Sequence, residues 1–223
     1  MDLRRRVVSE GVGTGGLLLA VVGSGIAVSR IADGDALALL IHALVVGVTL
    51  IALILGLTRW STHFNPAVTF ALWRAGAVPG GDVPPLIGAQ LVGAFTGVLL
   101  ANVMFGESWM ALGDTTRSGL GLWVGEAVAT FGLVLLIRGC AHRSPEVVAY
   151  AVGLFITGAI WFTSSDAFAN PAVTIGRAAT DTWCAIRPVD VPGFVVAQLV
   201  GAILATRLAS WLNAGVLPSE AGP

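Results

Sequence analysis

Polar and apolar positions in this chain segregate into long blocks. Stretches poor in charge run over residues 10–30, 35–59, 82–107, 117–138 (broken only by Glu126), 146–166 and 190–207. A helix rising 1.5 Å per residue needs about 20 apolar residues to cross a hydrocarbon core of about 30 Å, so the pattern predicts six crossings. The first block follows Arg4, Arg5 and Arg6, as the apolar part of a signal peptide would, but its length and its opening Glu10 mark it as a retained helix. Two polar interruptions remain, "HFNPAVTFALW" between the second and third blocks and "AFANPAVTIGR" between the fifth and sixth.

Composition settles the solvent. The 223 residues are 56% hydrophobic and 11% charged, with a mean hydropathy of +0.86, whereas soluble domains carry about 25% charged residues. The net charge is −1 and all 12 basic residues are Arg, so no basic tail or nucleic-acid footprint is present. With a cytoplasmic N-terminus, Arg4, Arg5, Arg6, Arg59, Arg74, Arg138, Arg143 and Arg207 fall inside, and Arg30, Arg117, Arg177 and Arg187 outside. That bias predicts a multi-pass protein of the cell membrane with both termini cytoplasmic. Cys140 and Cys184 then lie on opposite faces, which excludes an intramolecular disulfide.

The chain repeats itself. "EGVGTGGLLL" from Glu10 returns as "EAVATFGLVL" from Glu126, "NPAVT" from Asn65 returns from Asn170, and "AQLVGA" from Ala89 returns from Ala197. Three blocks recurring in one order define two copies, residues 1–112 and 113–223, of a single transmembrane domain spanning 1–223. Each copy holds three crossings, an odd number, so the second enters the bilayer upside down. The two NPA loops therefore start from opposite membrane faces and can dip inward to meet near the midplane. The expected fold is an all-α membrane protein of six transmembrane helices plus two half-membrane re-entrant helices, built as inverted three-helix repeats.

The loop chemistry agrees. Asn is a favoured N-cap, and Pro at the next position gives up only an N–H that a helix start cannot use. Asn65 with Pro66 and Ala67, and Asn170 with Pro171 and Ala172, should each open a short helix. Capping through the side-chain oxygen leaves the amide NH₂ to donate elsewhere. Irregular backbone at membrane depth survives only where it is buried or lines a watery cavity, and helix N-termini facing such a cavity, each with about half a positive charge, would repel cations. Glu10 and Glu126 are acids inside membrane spans, positions that read as functional by default; a carboxylate holding loop N–H groups explains them better. Ala89, Gly93, Gly97 and Ala101, and their counterparts Ala197, Gly201, Ala205 and Ala209, are spaced by four and should let helix backbones approach closely.

Two NPA loops, a Glu in the first helix of each half and six spans resemble the aquaporin (major intrinsic protein) family over nearly the whole chain. The resemblance implies a passive channel for small neutral solutes, four such monomers assembling as a homotetramer in membrane lipid, and no cofactor. It implies that Asn65 and Asn170 are central donors and that Glu10 and Glu126 brace the loops. It also puts His63 near the inner mouth, though a backbone-bonding structural role suits His63 better. The chain departs from the family at Val173, where orthodox members carry Arg immediately after the second NPA. Counting from the motifs places the other constriction positions at Val45, Ile160 and Ala167, with Gly158 or Trp161 as alternatives to Ile160. Arg177, one turn beyond Val173, either replaces the missing charge or pairs with Asp181 or Asp166. Without the Arg the constriction should be wider and more apolar, favouring glycerol-like polyols or neutral metalloid hydroxides such as arsenous acid, with water also passing. A water channel with a loosened filter is the alternative.

Other classes fit less well. A secondary transporter needs intramembrane charges for coupling, and Glu10 and Glu126 are all the spans offer. An enzyme or metal centre needs a clustered set of ligands or nucleophiles, whereas His42, His63 and His142 are scattered without ligand spacing.

Overall fold

The computed structural model describes residues 2–214, and all regular structure among them is helical. Six helices are long: α1 (Leu3–Ile31), α2 (Asp35–Leu57), α4 (Val83–Phe105), α5 (Leu120–Gly139), α6 (Pro145–Phe162) and α8 (Val191–Asn213). Two are short, α3 (Pro66–Arg74) and α7 (Pro171–Arg177). The long six are each apolar and long enough to cross a membrane. Met1 and residues 215–223, the two ends of the expected single domain, lie outside the described residues.

Helix boundaries outrun the charge-poor blocks at both ends. α1 begins at Leu3 because Asp2 accepts from the Arg4 backbone N–H and caps it. α8 continues past Arg207 to Asn213; Arg207 is exposed, and its long stem carries the charge outward without ending the helix. The connection 106–119, where the sequence divides into two copies, contains no helix.

The two halves are built alike. α1 packs on α4 and α5 packs on α8, while α2 against α6 joins one half to the other. Both α4 and α8 follow one turn of 3₁₀ helix and hold Pro in their first turn. The small-residue ladders lie at the first two contacts. A methyl group added to Gly93 would sit 2.1 Å from the Gly11 carbonyl oxygen, one on Gly97 2.2 Å from that of Gly15, and one on Gly201 2.3 Å from that of Ala127. Backbone meets backbone there, the close approach that small residues permit where lipid supplies no hydrophobic drive between helices. Apolar side chains such as Val48, Val92, Leu100, Val103 and Leu154 cover the outer surface.

Candidate pore

Each re-entrant loop is shaped by its cap. The Asn65 side-chain oxygen accepts from the Ala67 N–H at 2.8 Å, and that of Asn170 accepts from the Ala172 N–H at 2.9 Å. The residue before each Asn, Phe64 (φ 49°) or Ala169 (φ 47°), is left-handed, as are Asp166 and Ala167. Non-glycine residues held there cost of order 1–3 kcal/mol each and persist only where the surroundings over-determine them. Here the cost has an evident return. The Asn65 amide donates to the Ala169 carbonyl at 2.7 Å and the Asn170 amide donates to the Phe64 carbonyl at 2.8 Å. α3 and α7 thus meet through their caps. Each amide carries two N–H groups, so the exchange uses one, and the second remains on an Asn that lines the cavity.

A buried carboxylate holds each loop from behind. Glu10 accepts from the His63 and Phe64 backbone N–H groups at 2.8 and 2.7 Å, from the Ser61 hydroxyl at 2.6 Å and from the Gln90 amide at 2.7 Å. Glu126 accepts from the Phe168 and Ala169 N–H groups at 2.9 and 2.8 Å and from the Gln198 amide at 2.6 Å. Gln90 and Gln198 also donate to Thr69 and Thr174. These four residues were missed by motif reading, yet each sits in a repeated block, the Thr closing "NPAVT" and the Gln inside "AQLVGA". His63 lines the cavity, and its ring bonds the Thr69 hydroxyl at 3.1 Å, a side-chain partner where a backbone one was expected.

The cavity, about 180 Å³, runs from His63 and Leu72 near α3 past Asn65 and Asn170 to Val173 and Arg177 of α7. Ile160, Ala167 and Val173 stand on its wall. Val45 does not: it is 37% exposed on the outer side of α2, and His42, Val46, Leu50 and Ile54 face inward. One residue turns a helix by about 100°, so counting from the motif missed the inner face by a single step. Trp161, 46% exposed, faces outward as well.

His42 was overlooked for want of ligand spacing. It is buried, with Nδ1 2.8 Å from the Ser24 hydroxyl and its ring edge-on to Trp183. Of the two expectations for Arg177, the structure removes the ion pair, since it bonds neither acid. Asp166 is bonded by Arg117 at 2.7 Å and Asp181 by the Asp114 N–H at 3.1 Å. The Arg177 Nε donates to the Cys184 carbonyl, and the guanidinium lies 3.5 Å from the centre of the Phe168 ring. Its Nη2 is buried with no partner among the described residues, a condition that costs about 1–3 kcal/mol.

Six spans on inverted halves, crossed by a cavity with two capped half-helices at its centre, are the architecture of a membrane pore. The major intrinsic protein model matches residues 1–147 and again 142–221, and the chain belongs to that family. It is 43% identical over 212 residues to aquaglyceroporin AqpS of Rhizobium meliloti, covering 95% of this chain and 91% of that one. It is 36% identical to the probable aquaporin AqpM of Archaeoglobus fulgidus, covering 72% and 71%. The solved aquaglyceroporin of Plasmodium falciparum shares the fold, with a TM-score of 0.71 over 99% of both chains at 20% identity.

Proposed function

We propose that this protein is a passive channel for small neutral solutes, admitting glycerol-like polyols and neutral metalloid hydroxides such as arsenous acid along with water. The observation that carries the reading is the reciprocal Asn65–Asn170 exchange on the wall of a cavity. It presents one fixed N–H from each half, and the acid on the same cavity wall, Asp166, is held by Arg117, which suits an oxygen lone pair passing in line. The relative named an aquaglyceroporin, similar over nearly its whole length, supports the polyol arm. In this proposal Asn65, Pro66, Ala67, Asn170, Pro171 and Ala172 form the centre, Ile160, Ala167 and Val173 belong to the filter, and Glu10 and Glu126 support the loops. The Arg distribution supports an orientation with the α7 end outside and both termini on the cytoplasmic side of the cell membrane. Four copies form a homotetramer, each with its own pore.

Stopped-flow light scattering on proteoliposomes tests this directly. Glycerol and arsenous acid should enter severalfold faster than into empty vesicles, and a pH-sensitive dye inside should stay quiet meanwhile. Proton entry coupled to solute would make the protein a secondary transporter instead.

The Val173 wall gives a second expectation. Val offers no hydrogen bond, and leaving one hydroxyl uncompensated costs about 1–3 kcal/mol, so solutes must find partners elsewhere around the ring. Val173→Arg fills the apolar side and should slow glycerol about tenfold or more, one order being 1.36 kcal/mol of barrier, while water falls far less. Equal losses for both would remove Val173 from the filter.

A further inference from the structure

Taking the channel reading as its basis, we propose that Arg177 supplies, from one helical turn away, the filter charge that position 173 lacks. Together with His42 it selects solutes that present an acceptor oxygen on one edge and hydrocarbon on the opposite face. The reach is a matter of helix geometry. Four residues raise Arg177 about 6 Å beyond Val173, but helical side chains lean toward the N-terminus, so a long one folds back over the preceding turn. That is the path taken: the guanidinium rests on Phe168, two residues before Asn170, at 3.5 Å.

Its hydrogen bonding leaves a donor to spare. Nε is held by the Cys184 carbonyl, and among the described residues no acid lies within ion-pair distance, Asp166 being paired with Arg117. Nη2 is sealed, whereas Nη1 has neither a partner among the described residues nor a place among the sealed atoms, and Arg177 lines the cavity while only 2% exposed. An unpaired buried cation with a free N–H is a poor structural brace and a good contact for a passing oxygen. His42 adds a second polar point: Ser24 holds Nδ1, and Nε2 has no partner among the described residues on the same cavity. Val173, Ile160 and Ala167 line the same cavity with side chains that form no hydrogen bonds. The ring is thus two-sided. Propane-1,2-diol, with two hydroxyls and a methyl, matches it better than urea, which is polar all round.

The test compares wild type, Arg177→Gln and the relocated pair Val173→Arg with Arg177→Val in proteoliposomes, using methylammonium, glycerol and propane-1,2-diol. Gln keeps an N–H for the Cys184 carbonyl but carries no charge. Wild type should exclude methylammonium, Arg177→Gln should admit it about tenfold faster, equivalent to one decade of barrier, and the relocated pair should exclude it again. The pair should also slow propane-1,2-diol more than glycerol, because the apolar wall at 173 is gone. Should Arg177→Gln exclude methylammonium as the wild type does, or the relocated pair leak like the single variant, Arg177 is a loop brace and the proposal falls. If neither variant inserts, ionised formate on wild type decides: it should slow glycerol several-fold by occupying the guanidinium, and no slowing overturns the assignment. A wild type that passes no neutral solute at all would instead overturn the channel reading.

Discussion

Replacing Glu10 by Ala should abolish solute flux and leave little protein correctly inserted. Four donors converge on that carboxylate, two of them the His63 and Phe64 backbone N–H groups that shape the first loop. Each buried donor left unpaired costs about 1–3 kcal/mol, so the two backbone groups alone cost about 2–6 kcal/mol, a large share of a typical folding free energy of about 5–15 kcal/mol. Phe64 is also left-handed and presents its carbonyl to Asn170, so a slack loop removes the central exchange too. Glu10→Gln should rescue poorly. The Glu10 oxygens accept from four donors, two on each, whereas a Gln amide sets its N–H₂ either against the Phe64 N–H and the Gln90 amide or against the His63 N–H and the Ser61 hydroxyl. Glycerol flux in the Gln variant near the wild-type rate would show that the loop stands without this bracing. Glu126→Ala should be somewhat milder, with three donors orphaned rather than four.

Gly93→Leu should prevent the bundle from assembling, and Gly93→Ala should lower its thermal stability measurably. The added methyl would stand 2.1 Å from the Gly11 carbonyl oxygen, where ordinary contact begins near 3.4 Å, and the obstacle is backbone that cannot rotate away. Overpacking a tight contact costs about 1–3 kcal/mol for small increments, and a Leu side chain adds three more carbons. Gly56, with nothing within 4 Å of an added methyl, is the control: Gly56→Ala should leave the melting temperature unchanged or slightly raised. Detergent-solubilised melting curves decide, and equal behaviour of the Gly93 and Gly56 variants would mean that the α1–α4 contact has slack.

The caps, the carboxylates and the ladders were readable from sequence because their chemistry is local or repeated. Asn-Pro-Ala is a helix start wherever it occurs, and finding it twice in an inverted repeat fixes where the two starts meet. The face of α2 was not readable. "ALALLIHALVVGVTLIALILG" is apolar nearly all round, so nothing in its periodicity tells Val45 from Val46; the Gly47–Gly153 crossing with α6 does. Arg177 was hidden for another reason. Its orientation depends on the carbonyl of Cys184, on Phe168, and on Arg117 occupying Asp166, and these come together only in three dimensions. Gln90 and Gln198 lay in plain view inside duplicated blocks, but a repeat marks a position without saying which atom it serves.

The two bonding systems of the loops differ in where their partners are encoded, and that bears on how ribosomal synthesis meets assembly. Every partner of Glu10 lies within 80 positions of it, inside the first half, and every partner of Glu126 lies inside the second. The Asn exchange instead joins residues 104 and 106 positions apart. At a translation rate of about 5–20 residues per second, the Asn65 amide waits roughly 5–20 s for the Ala169 carbonyl to be made. During that interval the first half already has the means to hold its own loop in shape, with the Phe64 carbonyl turned toward a partner not yet translated. Each half therefore carries the brace for its own loop, and the contact at the centre of the conduit has to wait until both halves exist.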